Sequence, residues 1–124
     1  TCSSLGGCYL RWNDGAPHTD ALNGQQIGVA NMIVIYVNYA QDVRYLEEDY
    51  GALKLFGWQI QLWGDPGGDV KIFRDGQEFD GKWSRPVRAD MLSFKDVKGQ
   101  VIPLKPGNTW VELVPWDGKV NVTP

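Results

Sequence analysis

A chain of 124 residues with 43% hydrophobic and 22% charged side chains is long enough to bury one core and matches the size of one domain. Lys and Arg total 12 against 15 Asp and Glu, a formal charge of −3, and the basic residues are scattered, which excludes the electrostatic footprint of a nucleic-acid binder. The longest apolar stretch, Met32 to Val37, is strand-sized and far short of the roughly 18 residues that a membrane-spanning helix needs.

The chain opens on its only two cysteines, Cys2 and Cys8. Their spacing fits no zinc pattern and no histidine lies close by, so no metal site is expected there. They either close a small disulfide loop, as an oxidising compartment would favour, or remain two thiols. Leu5-Gly6-Gly7-Cys8 has the form of a lipobox but lacks the basic and apolar segments that must precede one, and reads as coincidence. A start at Thr-Cys-Ser-Ser with no initiator Met reads as a processed or excised segment.

Beyond it, short runs rich in β-branched and aromatic residues alternate with turn dipeptides such as Asp14-Gly15, Asn23-Gly24, Asp75-Gly76 and Lys98-Gly99. Gly, Asn and Asp tolerate the positive φ that hairpin turns demand, so the pattern predicts strands over residues 9–12, 31–39, 53–63, 70–74, 77–84, 91–95 and 109–114. Residues 32–37 are apolar at every position, as in a central strand covered on both faces. Residues 58–62 alternate, as in a strand with one wet face. Only residues 41–50, with Val43, Leu46 and Tyr50 at helical spacing, predict a short helix, which would help cover the central strand. The expected fold is mostly β (β-rich α+β), an antiparallel sheet or sandwich or a partly open barrel with at most one or two short helices. It is read as one domain over 1–124, with an extension at 1–8, a core at about 9–115 and a tail at 116–124.

The single histidine, His18, lies in a loop with Asp20, and the two could serve as acid and base or as two metal ligands. Two ligands do not make a metal site, so no metal and no cofactor is expected. The alternative is that Asp20 caps a turn and His18 bonds loop backbone. No Gly-x-Ser-x-Gly elbow and no phosphate loop is present, and most of the acids that could pair as in a glycosidase, Asp65, Asp69, Asp75, Glu78, Asp80 and Asp90, occupy turn positions. Six tryptophans point to core filling for most of them, with an exposed remainder able to stack on sugars or peptides. Trp58 and Trp63, five apart, would face opposite sides of one strand, and Trp63 is taken as the binding candidate.

Two stretches carry a family resemblance. Tyr9-Leu10-Arg11-Trp12-Asn13-Asp14-Gly15-Ala16-Pro17-His18-Thr19-Asp20 followed by Asn31-Met32-Ile33-Val34, and Asp75 to Arg85 followed by Gly99 to Pro115, resemble the opening and closing segments of the C-terminal domain of the YerB-like bacterial lipoproteins. The resemblance implies an extracytoplasmic, membrane-anchored protein whose N-terminal domain is absent from this chain. It implies no activity. Among the matching positions Gly81, Trp83 and Gly107 look architectural, whereas Arg11, His18 and Asp20 are polar enough to form a site. Asp65-Pro66-Gly67-Gly68 and the acidic Leu46-Glu47-Glu48-Asp49 depart from the family pattern.

The reading that follows is a non-catalytic binding module of the bacterial cell envelope, with Arg11, Trp12, His18, Asp20 and Trp63 as binding residues and a cell-wall glycan or an envelope protein as partner. The alternatives are a cell-wall hydrolase using His18 and Asp20, and a surface protein that self-associates through open sheet edges.

Overall fold

The computed structural model of the chain describes residues 7–124, and among them the regular structure is entirely β. The strands are β1 (Tyr9–Leu10), β2 (Trp12–Asn13), β3 (Ala16–Pro17), β4 (Gly28–Val29), β5 (Asn31–Asp49), β6 (Lys54–Gln61), β7 (Gly64–Arg74), β8 (Gln77–Arg85), β9 (Ser93–Lys95) and β10 (Thr109–Pro115). The main sheet runs β10-β5-β7-β8-β9, with β6 beside the far half of β5. The pairs β1-β4 and β2-β3 stand apart from it. The sheet is open, as its ends β10 and β9 are not neighbours.

The apolar run at the start of β5 makes it central. β7 pairs with it antiparallel, Ile33 opposite Ile72 and Ile35 opposite Val70. On its other side β10 pairs parallel, Val111 opposite Ile33, an exception within the otherwise antiparallel sheet that arises because the chain crosses over before adding its last strand. Ile33, Val34, Ile35 and Val37 are all buried. The face carrying Ile33, Ile35 and Val37 packs with Val70, Ile72, Trp83 and Ile102 into the core. The other face, with Met32 and Val34, borders Tyr9, Leu10, Trp12 and Val122, so the chain's own ends flank it. That corrects the expectation that a helix over residues 41–50 would help cover it.

Turn chemistry fixes the registers. Asp14 (φ 49°) and Gly15 (φ 78°) join β2 to β3, and Asp75 (φ 52°) and Gly76 (φ 70°) join β7 to β8, both as two-residue turns with positive φ at each centre. Gly81 opposes Val70 on β8, and a Cβ there would come within 2.2 Å of the Lys95 carbonyl oxygen. This position therefore accepts no side chain without displacing β9.

The helix predicted over residues 41–50 is absent: that segment is the outer half of β5. The apolar residues around Leu46 stand three and four apart as in a helix, and register shifts between Asp42 and Leu46 and between Leu46 and Glu48 let a strand carry them. Most tryptophans are not core. Trp83 is buried, whereas Trp12, Trp58, Trp63 and Trp116 are exposed. Because β6 ends at Gln61, Trp63 lies beyond it and shares no strand with Trp58.

Candidate functional site

The β2-β3 hairpin sets Trp12 opposite Pro17, and the next pair outward is Arg11 and His18, joined by the His18 amide donating to the Arg11 carbonyl at 3.0 Å. Alternation then places the side chains of Arg11 and Trp12 on opposite faces. Arg11 Nε donates to His18 Nδ1 at 3.2 Å, and Arg11 Nη1 reaches Glu112 Oε2 on β10 at 3.2 Å. The same carboxylate oxygen accepts from Trp110 Nε1 at 2.8 Å. The Trp110 ring carries the Arg11 guanidinium 4.1 Å from its centroid and meets His18 edge-on at 5.8 Å. Arg11 and His18 thus converge, but with each other's hydrogen-bonding groups and those of β10 already engaged. This cluster ties the N-terminal hairpin to the sheet.

Asp20 stands outside it. Its carboxylate accepts the Leu22 amide at 2.7 Å, which is a turn cap, and among the described residues no hydrogen bond joins it to His18. Trp12 borders the cleft on the sheet's other face, beside Tyr9, Met32 and the C-terminal residues. Cys8 is disulfide-bonded, while Cys2, the other cysteine of the expected pair, lies outside the described residues. Among the described residues no group of three or more His, Cys, Asp or Glu side chains is placed to hold a metal ion.

Trp63 belongs to a separate cleft that the chain builds by a detour. β6 and β7 return along the same side of β5, yet Gln61 opposes Asn38 and Val70 opposes Ile35. Residues 62–69 therefore stand against only Tyr36 and Val37, and the excess bulges away to pair with β8, Gly64 opposite Arg85 and Gly68 opposite Trp83. Gly67 lies so near β8 that a Cβ would come 2.1 Å from the Trp83 carbonyl oxygen, and its φ of +81° excludes most side chains. Trp83 closes the floor by donating from Nε1 to the Tyr36 carbonyl at 2.7 Å.

The result is a cleft of about 460 Å³ bordered by the rings of Trp63 and Trp116 and by the polar side chains of Asn38, Gln61, Asp65 and Asp69. Asp69 forms an ion pair with Lys82 at its rim. Trp63 is held by the Arg88 guanidinium 4.9 Å from its ring centroid, and Trp116 is held at its backbone, the amide donating to the Val37 carbonyl at 2.9 Å. Trp116, Asn38 and Gln61 escape a sequence reading because their convergence depends on β10 and β6 both ending beside the same point of β5. The clustering of turn residues at 64–68 is the one sequence signal that marks the place.

Comparisons with known proteins place this architecture. The family model described as Protein of unknown function (DUF3048) C-terminal domain matches residues 3–111. Among solved structures, the YerB protein from Bacillus subtilis is similar, with a TM-score of 0.66 and 22% sequence identity, over 91% of this chain and 34% of that one. The chain thus spans about a third of the length of that protein, and the likeness concerns the fold. No curated protein matches.

Proposed function

Because the chain belongs to the DUF3048 C-terminal domain family, whose description assigns no activity, its function is argued from its own surface, and we propose that it is a non-catalytic binding module of the bacterial cell envelope whose Trp63–Trp116 cleft takes a cell-wall glycan. The observation that carries this reading is the pairing of two exposed aromatic rings with amide and carboxylate side chains around one open cleft. Sugars present apolar C–H faces that stack on such rings and hydroxyls that bond bidentately to amides and carboxylates. The disulfide at Cys8 supports an oxidising, extracytoplasmic setting. The hydrolase alternative needs His18 and Asp20 to act as a pair, whereas the Asp20 carboxylate caps the Leu22 amide and Arg11 Nε bonds His18 Nδ1.

Co-sedimentation with isolated peptidoglycan tests it, using the parent chain, Trp63→Ala/Trp116→Ala and Arg11→Ala/His18→Ala. The parent should sediment saturably and the tryptophan variant should lose about tenfold or more in affinity, since each stacked ring contributes about 1 kcal/mol. The Arg11/His18 variant should keep its affinity as long as it stays folded. Soluble fragments released by the parent would replace binding with hydrolysis, and a parent that stays in the supernatant would remove the glycan altogether.

A further inference from the structure

Only residues 31–37 of β5 lie beside β10. From Asn38 to Asp49 its neighbour among the described residues is β6, so residues 38–61 form a two-stranded arm that projects past the body of the sheet. Next to the body, alternation gives this arm a polar face of Asn38, Ala40, Gln59 and Gln61 and an apolar face of Tyr39, Trp58 and Ile60. The polar face continues the side of the sheet on which the Trp63–Trp116 cleft opens, because Tyr36, Asn38 and Ala40 are alternate residues of one strand.

Those three residues set three clefts in a row. One of about 420 Å³ on the arm is lined by Ala40, Gln59 and Arg88 and shares Asn38, Gln61 and Trp63 with the Trp63–Trp116 cleft. Another of about 350 Å³ over the body is lined by Lys71 and Asp80 and shares Tyr36, Asp69 and Trp116 with it. These two have no lining residue in common, so the Trp63–Trp116 cleft is the middle compartment and each of its two rings stands at a border. From Ala40 to Tyr36 the strand beneath them runs about 13 Å at 3.3 Å per residue, longer than one sugar ring. Each outer compartment carries polar side chains that the protein holds in place. Gln59 Nε2 donates to Asp42 Oδ2 at 2.6 Å, the Arg88 guanidinium lies 4.9 Å from the Trp63 ring centroid, and Lys71 Nζ donates to Asp80 Oδ1 at 2.8 Å. Preorganised polar groups on both sides of two exposed rings suit a ligand that repeats along the groove.

Resting on the glycan reading, we propose that the three compartments are consecutive subsites for one linear glycan. One sugar occupies the middle compartment, between Trp63 and Trp116, and its neighbours in the chain occupy the outer two. The recognised unit is a run of three linked sugars, and the arm supplies the subsite at one end of it.

Calorimetric titration with β-1,4-linked N-acetylglucosamine oligomers, which have the backbone of the wall glycan without its peptides, reads the number of subsites. Affinity of the parent should rise about fivefold with each added sugar up to the trimer and then level off. Ala40→Phe, which fills the compartment on the arm from an exposed strand position, should keep the parent's thermal unfolding profile and bind the trimer no tighter than the dimer. Equal affinity for the single sugar and the trimer overturns the proposal and leaves the glycan reading standing. A gain from dimer to trimer that survives Ala40→Phe removes the arm from the site and overturns it equally. A parent that binds no oligomer also overturns it, and the sedimentation assay with peptidoglycan then decides separately whether the glycan reading falls too.

Discussion

Asn31 shows how much a single polar side chain decides. It is fully buried at the start of β5, its amide nitrogen donating to the Lys105 carbonyl at 2.8 Å and to Thr109 Oγ1 at 3.2 Å, its oxygen accepting the Lys105 amide at 2.8 Å. These bonds hold the crossover that delivers β10 parallel to β5. Asn31→Ala would remove three hydrogen bonds at a fully buried position, and about 2 kcal/mol or more should be lost, read as a lower urea midpoint. The opposite lesson comes from His18, which stands out in the sequence because it is the only histidine. Its neighbours across the hairpin are legible once Asp14-Gly15 is taken as a two-residue turn, because that register alone sets Arg11 against it. Glu112 and Trp110, the groups that occupy Arg11, come from a strand about a hundred residues on, and no local pattern announces them.

At the scale of elements, the strands in the body follow from periodicity and turn residues, and the arm is where that reading fails. The apolar residues around Leu46 stand at helical spacing and two register shifts let a strand carry them, so local sequence cannot tell a bulged strand from a helix until β6 is placed beside it. The polar face of the arm also makes a pH prediction. The Arg44 guanidinium bonded to Asp42 holds that carboxyl well below the usual range, with the Arg44 amide and Gln59 adding to the effect and burial opposing it. A depressed folded value stabilises the fold at pH above the unfolded carboxyl value of about 3.9, and that contribution is lost as pH falls below it. Asp42→Asn should therefore be less stable than the parent at neutral pH and approach it on acidification below about pH 4, in thermal melts taken across that range. The parent's stability should fall more steeply with acid than the variant's.

The whole molecule divides into a sheet body with a closed core and two surfaces that leave it, the cleft and the arm. Ile72 is fully buried at the centre of the core, and Ile72→Ala should cost about 2–5 kcal/mol in global unfolding, seen as a shift of the entire denaturation curve. Trp58→Ala removes a larger side chain but an exposed one, so it should move the curve far less. The contrast separates core from projecting surface, which the apolar character of both side chains conceals in the sequence.

By itself the sequence determined that the domain is β, where most strands lie, which residues turn the chain and that the run around Ile33 is central, because alternation, apolar runs and positive-φ residues are local properties. The tertiary structure alone decided that β10 enters parallel, that Arg11 and His18 are bound to Glu112 and Trp110, that Trp63 meets Trp116 across a cleft, and that the arm's apolar face lies outside the core. Each of these is a contact between segments far apart in the chain. A hydrophobic pattern states that a face must be covered; which part of the molecule covers it, or whether any does, is settled only when the strands are paired.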